Sequence, residues 1–335
     1  MLRRLPPRHS NAALRSAAHG ETSRTITIAL VANLVVAAAK LVAGLLSGSA
    51  GLLAEAGHSF ADSLNQVFLG ISLVRGGQPA DFAHPLGHGR ERFLWAFMAA
   101  ISSFLIGGCL SIGLAIWALL KGGSTENLLA AWMVLAVAFV ADGISLFQSL
   151  RQARREARER EVSLPRYLLR SSDPALRAVV VEDSAALIGV GLAAVGLLLS
   201  ELVGTNTPDA LASLLIGILL AVTAFGLARP VADLLVGRSL PAERLQQLFT
   251  ILAEDPAIEE VLALHAVYTG PQEVIVAAKV HPAAGLSIEQ LTRAMDGLDI
   301  AVRSALPEVA DVYLDVTSYR LETLPVSRRP VDGEA

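Results

Sequence analysis

Six stretches of this chain are each long and apolar enough to cross a hydrocarbon layer, and they leave little room for any fold but a helical membrane bundle. They cover residues 25–46, 51–74, 92–120, 128–150, 178–202 and 210–228. About 20 apolar residues in a helix suffice to span a bilayer. Only 17% of the 335 residues are charged, against about 25% in a typical soluble protein. Charges are sparse through the first two thirds and ordinary from about Arg238 onward. The expected organisation is a disordered tail over 1–24, a six-helix membrane domain over 25–228, a small soluble domain over 229–320 and a disordered tail over 321–335.

The gaps between the stretches carry a charge pattern that sets orientation. Arg3, Arg4, Arg8, Arg15 and Arg24 precede the first stretch. Arg75, Arg90 and Arg92 lie between the second and third, and a basic segment from Arg151 to Arg177 lies between the fourth and fifth. The opposite side offers Lys121 alone. Lysine and arginine collect on the cytoplasmic side, so both termini are expected there. The segment from Arg151 to Glu161 mixes Arg with Glu and reads as a solvated helical extension rather than a nucleic-acid surface. Residues 1–24 carry no convincing cleavage site and read as a cytoplasmic tail. Cys109 is the sole cysteine, which excludes internal disulfides and thiolate clusters; it reads as a packing residue. There is no nucleotide loop, nucleophile constellation or redox-cofactor motif, so no enzyme is expected.

His58 and Asp62 interrupt the second apolar stretch. Four residues apart on a helix, they share one face, one turn apart. An imidazole and a carboxylate so placed offer half of a tetrahedral divalent-metal site. Burying an Asp at a helix centre costs on the order of 2.5–3.5 kcal/mol on insertion scales, so such a group by default marks a pathway, a relay or a ligand site. The competing reading is a polar pair that joins helices. Asn33 and Asp142 are further polar groups in the apolar stretches and read as helix contacts or pathway polarity.

The soluble end reads helix, strand, strand, helix, strand. Leu245, Leu248 and Leu252 give helical spacing over 242–252. Residues 261–268 and 273–281 read as strands around a turn. Ser287 with Gln290 makes a capping box for a helix running to Leu306, and 309–319 alternates as a last strand. The fold class expected is therefore an α-helical six-span membrane domain plus a C-terminal α+β cytoplasmic domain, ferredoxin-like, in the order αββαβ.

Three segments taken together, SAGLLAEAGHSFAD (49–62), HPLGHGRERFLW (84–95) and PDALASLLIG (208–217), make the chain resemble the cation diffusion facilitator family of metal transporters. The resemblance covers about residues 25–319. It implies export of Zn²⁺ or a related divalent ion against inward proton flow, by a homodimer in a lipid membrane, with no resident cofactor and no nucleic-acid partner. It also implies a transport site of two ligands from the second span and two, at i and i+4, from the fifth. Here the sequence departs: Glu182 stands where His or Asp is usual, and Ala186 where a second Asp is expected. Asp183 is adjacent to Glu182 but about 100° round the helix. Either Glu182 binds through both oxygens, or Asp183 joins through a local distortion, or Ser184 or water fills the gap. A charge pair at the membrane entry of the helix is the alternative for Glu182 and Asp183.

The resemblance adds two further candidate sites. Asp81, His84 and His88 lie in the loop after the second span and match in type and order a second metal position of the family. An ordinary tight loop, given Pro85, Gly87 and Gly89, is the alternative. In the soluble end His265, His281 and Asp315 stand near strand positions where some relatives bind zinc, with Lys279 replacing one expected ligand. The sequence leaves Zn²⁺, Mn²⁺, Fe²⁺, Co²⁺ and Ni²⁺ open as cargo. An uncoupled metal facilitator and a membrane-bound sensor or non-transporting partner subunit are the rival readings. The Ala/Arg/Leu-rich composition points to a bacterial inner membrane.

Overall fold

The computed structural model describes residues 30–31, 33–122, 128–159, 163–164, 167, 174–271 and 273–319. Both expected tails, and the start of the first apolar stretch, lie outside the described residues. The chain divides into two compact units. One runs up to Leu73 and again from Trp95 to Arg229; the other joins Val74–Leu94 to the chain from Pro230 onward.

The first unit is helical. Helices α1 (Asn33–Ser47), α2 (Ala50–Gly76), α3 (Glu91–Lys121), α4 (Leu128–Glu159), α5 (Pro174–Val203) and α6 (Thr207–Val236) follow one another in sequence. Of these α3, α4, α5 and α6 are long and apolar enough to cross a membrane, so the protein is an integral membrane protein. The described part of α1 is shorter, and the 27 residues of α2 include Glu55, His58, Asp62 and Asn65. Apolar bulk faces outward: Leu129, Leu202 and Val222 are all exposed, as lipid-facing residues are. The interior is instead built from small residues such as Ala43, Ala54, Ala131, Ala138, Ala185 and Ala193. Small residues let helices approach closely where lipid removes the hydrophobic drive between them. Gly108 of α3 is one such point: a Cβ there would lie 3.0 Å from the Cβ of Ala221 in α6.

Two local features shape α2 and α3. Ser49 caps α2, its Oγ accepting from the Leu52 amide at 3.1 Å. Asp209 of α6 holds that cap, accepting from Ser49 Oγ at 2.8 Å and from the Gly51 amide at 3.2 Å. Helix α3 widens into a π-helical turn over Ser103–Cys109, a distortion that often sits at functional positions.

The second unit holds α7 (Ala242–Ala253), β1 (Ile258–Gly270), β2 (Glu273–Pro282), α8 (Ile288–Ala305) and β3 (Val309–Val316). The sheet order is β1-β2-β3, with β1 antiparallel and β3 parallel to the central β2. Alternate residues Val274, Val276, Ala278 and Val280 of β2 point into a core with Leu248, Leu252, Leu298 and Val302 of the two helices. The capping box of α8 forms, with Gln290 N donating to Ser287 Oγ at 3.2 Å and Ser287 N to Gln290 Oε1 at 2.9 Å. Strand β1 starts at Ile258 rather than at residue 261, because Ile258 already pairs with Pro282.

Candidate metal-binding sites

Helix α2 presents His58 and Asp62 one turn apart, with His58 Nε2 3.7 Å from Asp62 Oδ2. Two ligands of a tetrahedral zinc ion lie ~3.3 Å apart at ordinary bond lengths, so the pair already has the spacing of two metal ligands. His58 is buried, and His58 Nε2 and Asp62 Oδ1 have no hydrogen-bond partner. Glu182 of α5 reaches the next turn of α2 through Asn65, whose Nδ2 donates to Glu182 Oε1 at 3.0 Å. Asp183 is turned the other way. Its two oxygens accept from Ser145 Oγ at 3.0 Å and Ser149 Oγ at 2.9 Å, both on α4. The 100° between neighbouring helical residues separates the two acids, as the geometry requires. Ser184 donates back to the Val180 carbonyl at 2.6 Å, and Ala186 is buried without a polar atom to offer.

A further ionic cluster lies in the same unit; sequence reasoning named its Asp142 only as a helix contact or pathway polarity and did not name Lys40 or Glu55. Lys40 Nζ lies 2.9 Å from Glu55 Oε2 and 3.8 Å from Asp142 Oδ2. The signal available was simple: Lys40 and Glu55 are lone charges inside apolar runs, and intramembrane charges seek one another. Their partnership spans two helices and is invisible to a helix-by-helix reading.

The loop between α2 and α3 gathers a denser cluster. Among the described residues, Asp81, His84 and His88 are the group of His, Cys, Asp and Glu whose ligand atoms all lie within 4.8 Å of one another. His84 Nδ1 is 3.3 Å from Asp81 Oδ1, and His88 Nε2 is 3.1 Å from Asp81 Oδ2. The His84 amide donates to Asp81 Oδ1 at 2.6 Å. That backbone bond, with help from the His88 ring, holds the Asp81 carboxyl down at about 2. His88 is shifted the other way: Glu91 Oε1, 2.9 Å from Nδ1, and then Asp81 favour the imidazolium and raise its pKa. Glu91 is thus placed to orient His88 from behind, as carboxylates do for metal-bound histidines. The loop lies against the β1–β2 hairpin. A Cβ on Gly89 would fall 2.5 Å from the Thr269 carbonyl oxygen, so position 89 accepts nothing larger than glycine without displacing the loop.

The strand residues are not drawn together in this way. His265 is exposed and sits opposite Ala277, while His281 sits opposite Glu260. Four residues of β2 separate those two register positions, about 13 Å of strand. Asp315 is paired with Lys279. His281 Nδ1 donates to the Thr317 carbonyl at 3.1 Å.

Residues 26–236 match the cation efflux transmembrane domain. The chain belongs to the cation efflux, or cation diffusion facilitator, family. This is a family of metal cation transporters, and the chain is similar to several members. It is 32% identical over 241 residues to the mitochondrial proton-coupled zinc antiporter SLC30A9 of Xenopus laevis, an alignment covering 72% of this chain and 43% of that protein. It is 28% identical over 250 residues to metal tolerance protein C4 of Arabidopsis thaliana, covering 75% and 55%. Against the manganese efflux system protein MneP of Bacillus subtilis it is 24% identical over 305 residues, covering 87% and 94%. The chain thus spans about half the length of the frog and plant relatives.

Proposed function

We propose that this member of the cation efflux family exports divalent metal cations from the cytoplasm in exchange for protons, with Zn²⁺ as the favoured cargo. The observation that carries the reading is the His58–Asp62 pair. A buried imidazole and a carboxylate stand 3.7 Å apart inside α2, with Glu182 of α5 hydrogen-bonded to the same helix. Imidazole suits zinc, whereas an all-oxygen set would suit Mn²⁺. The frog relative is named a zinc antiporter and the Bacillus relative a manganese efflux protein, so the imidazole supports the first.

The chemistry follows from competition. Neutral imidazole and carboxylate bind either a proton or a metal ion, so loading the metal releases protons and protonation releases the metal. Rocking of the helical unit would expose the site to each side in turn. In this proposal α1 and α2 complete a six-span domain over residues 25–228, both termini are cytoplasmic, and residues 229–320 form a ferredoxin-like dimerisation and regulatory domain. The functional form is a homodimer in a bacterial inner membrane. Asp81, His84 and His88, with their ligand atoms within 4.8 Å of one another, would hold a second, regulatory metal ion.

One observation favours a rival reading. The loop cluster is more compact than the set within the helices, and Ala186 supplies no ligand; a membrane-bound metal sensor would look like this. Proteoliposomes decide between them. Zn²⁺-driven proton flux that disappears in Asp62→Asn is expected. Metal binding with no flux in the parent protein would establish the sensor instead, and flux without proton movement would establish an uncoupled facilitator.

A further inference from the structure

We propose that Asn65 completes the intramembrane metal site: its Oδ1 is the oxygen ligand that stands in for the carboxylate absent at position 186, while its Nδ2 holds Glu182 against α2. The inference rests on the transport-site reading above.

Positions 58, 62 and 65 fall at i, i+4 and i+7, a single face of α2. Each carries a buried polar atom without a hydrogen-bond partner: His58 Nε2, Asp62 Oδ1 and Asn65 Oδ1. Buried polar atoms are rarely left unpaired, and those that are call for an explanation such as an ion. Glu55 Oε1, three residues before His58 on the same face, is also unpaired, but Glu55 is neutralised by Lys40 through its other oxygen. The atoms at 58, 62 and 65, all of types that coordinate divalent metals, have a common explanation in a cation.

The orientation of the Asn65 amide is fixed by its neighbours. In the metal-binding form Glu182 is ionised and only accepts hydrogen bonds, so there the amide turns its NH₂ toward it. The same Nδ2 lies 3.3 Å from Ser103 Oγ, at the first residue of the π-helical turn of α3. The carbonyl oxygen is what remains. On α5 the other possible donors are engaged elsewhere: Asp183 with the α4 serines and Ser184 with the Val180 carbonyl. His58, Asp62, Glu182 and Asn65 therefore make four donors from two helices, three of them from α2. Asn65 as a mere joint between helices would explain its NH₂ contacts but not the unpaired oxygen.

The test is Zn²⁺ binding by calorimetry on the full-length protein in detergent, in a background with His84→Ala and His88→Ala to remove the loop cluster. Asn65→Ala should weaken zinc binding at least ~10-fold, the scale seen when groups supporting a metal site are lost. Asn65→Asp, which keeps an oxygen at the same place but loses the Nδ2 hold on Glu182, should bind zinc more tightly than Asn65→Ala. Adding Ala186→Asp to Asn65→Ala should restore it, because position 186 lies one turn from Glu182. Thermal unfolding of each metal-free variant separates lost folding from lost ligation. Affinity within twofold of the parent in Asn65→Ala, with Asp62→Asn abolishing binding, would overturn the role of Asn65 and leave the transport site standing. An affinity in Asn65→Asp no better than in Asn65→Ala, without a change in unfolding temperature, would also overturn it. Undiminished zinc binding in Asp62→Asn would remove the transport-site reading itself.

Discussion

Lys40 Nζ meets Glu55 Oε2 at 2.9 Å, and both side chains are sealed from the surroundings, at 1% and 0% exposure. An ammonium and a carboxylate cannot sit alone in such a place, and each is the other's reason for being tolerated there. Asp142 adds a second carboxylate at 3.8 Å. Glu55 Oε1 faces Gly189, where a Cβ would stand 2.2 Å away, so the pair is also enclosed by α5.

Removing one partner should therefore be worse than removing both. Lys40→Met leaves Glu55 charged and buried, a change that in comparable cases costs about 3–5 kcal/mol. Lys40→Met with Glu55→Met should recover most of that loss. Thermal unfolding in mild detergent measures it. Equal stability for the single and double variants would show that the pair is not coupled.

Asp209 makes a parallel prediction for the start of α2. Its carboxylate holds Ser49 Oγ and the Gly51 amide and is itself fully buried. Hydrogen bonds to a charged group contribute roughly 1.5–3 kcal/mol each. Asp209→Ala should lower stability by at least that amount. It should also raise hydrogen exchange at the amides of Gly51 and Leu52 ahead of the rest of α2. Uniform exchange along the helix would count against a local cap.

These contacts mark where the sequence was legible and where it was not. The His58–Asp62 pair is held by helical spacing, so counting residues found it; the loop cluster is held by a tight turn and came from the family resemblance. The divergence of Glu182 and Asp183 followed from 100° of helical rotation alone. Lys40, Glu55 and Asp209 form their contacts across helices, separated by 15 residues in one case and 160 in another, and no period within one helix reports them. Asn65 lies on the same stripe, three residues beyond the i, i+4 pair, but an amide inside an apolar run carries no ligand signal of its own. In the soluble end, alternation located β2 and its core, but the register that sets His265 apart from His281 depends on strand pairing and irregularities in β1.

The loop cluster gives a pH prediction. Glu91 and Asp81 raise the pKa of His88, so its imidazolium persists above the ordinary value of about 6.5. A raised folded-state pKa contributes stability fully below the unfolded value, and that contribution is lost as pH climbs through the folded one. Metal must displace the same proton, so zinc binding by the loop should strengthen as pH rises through the His88 titration. In Glu91→Gln the titration should move down, and the onset of zinc binding with it. NMR titration of the histidine ring signals, followed by zinc titrations across pH 5.5–8, checks both. An unshifted His88 titration in the variant would remove Glu91 as the cause.

Glu182 and Asp183 are neighbours with opposite expected phenotypes, which makes them the sharpest pair to compare. Glu182 is hydrogen-bonded to Asn65 of α2, on the stripe that carries His58 and Asp62. Asp183 is held by two α4 hydroxyls. Glu182→Gln preserves size and hydrogen bonding but removes a charge needed to balance a dication in a medium where unbalanced charge is costly. It should abolish flux, as Asp62→Asn should. Asp183→Asn still accepts from a serine through its carbonyl oxygen and should keep most of the flux, with a loss of stability of about 1–3 kcal/mol from the weakened contacts. Ser145→Ala with Ser149→Ala should reproduce that stability loss and again spare transport. Zinc flux in proteoliposomes, read beside thermal unfolding, separates the two roles. Flux lost in Asp183→Asn and kept in Glu182→Gln would reverse the assignment and place the α5 ligand on the face toward α4.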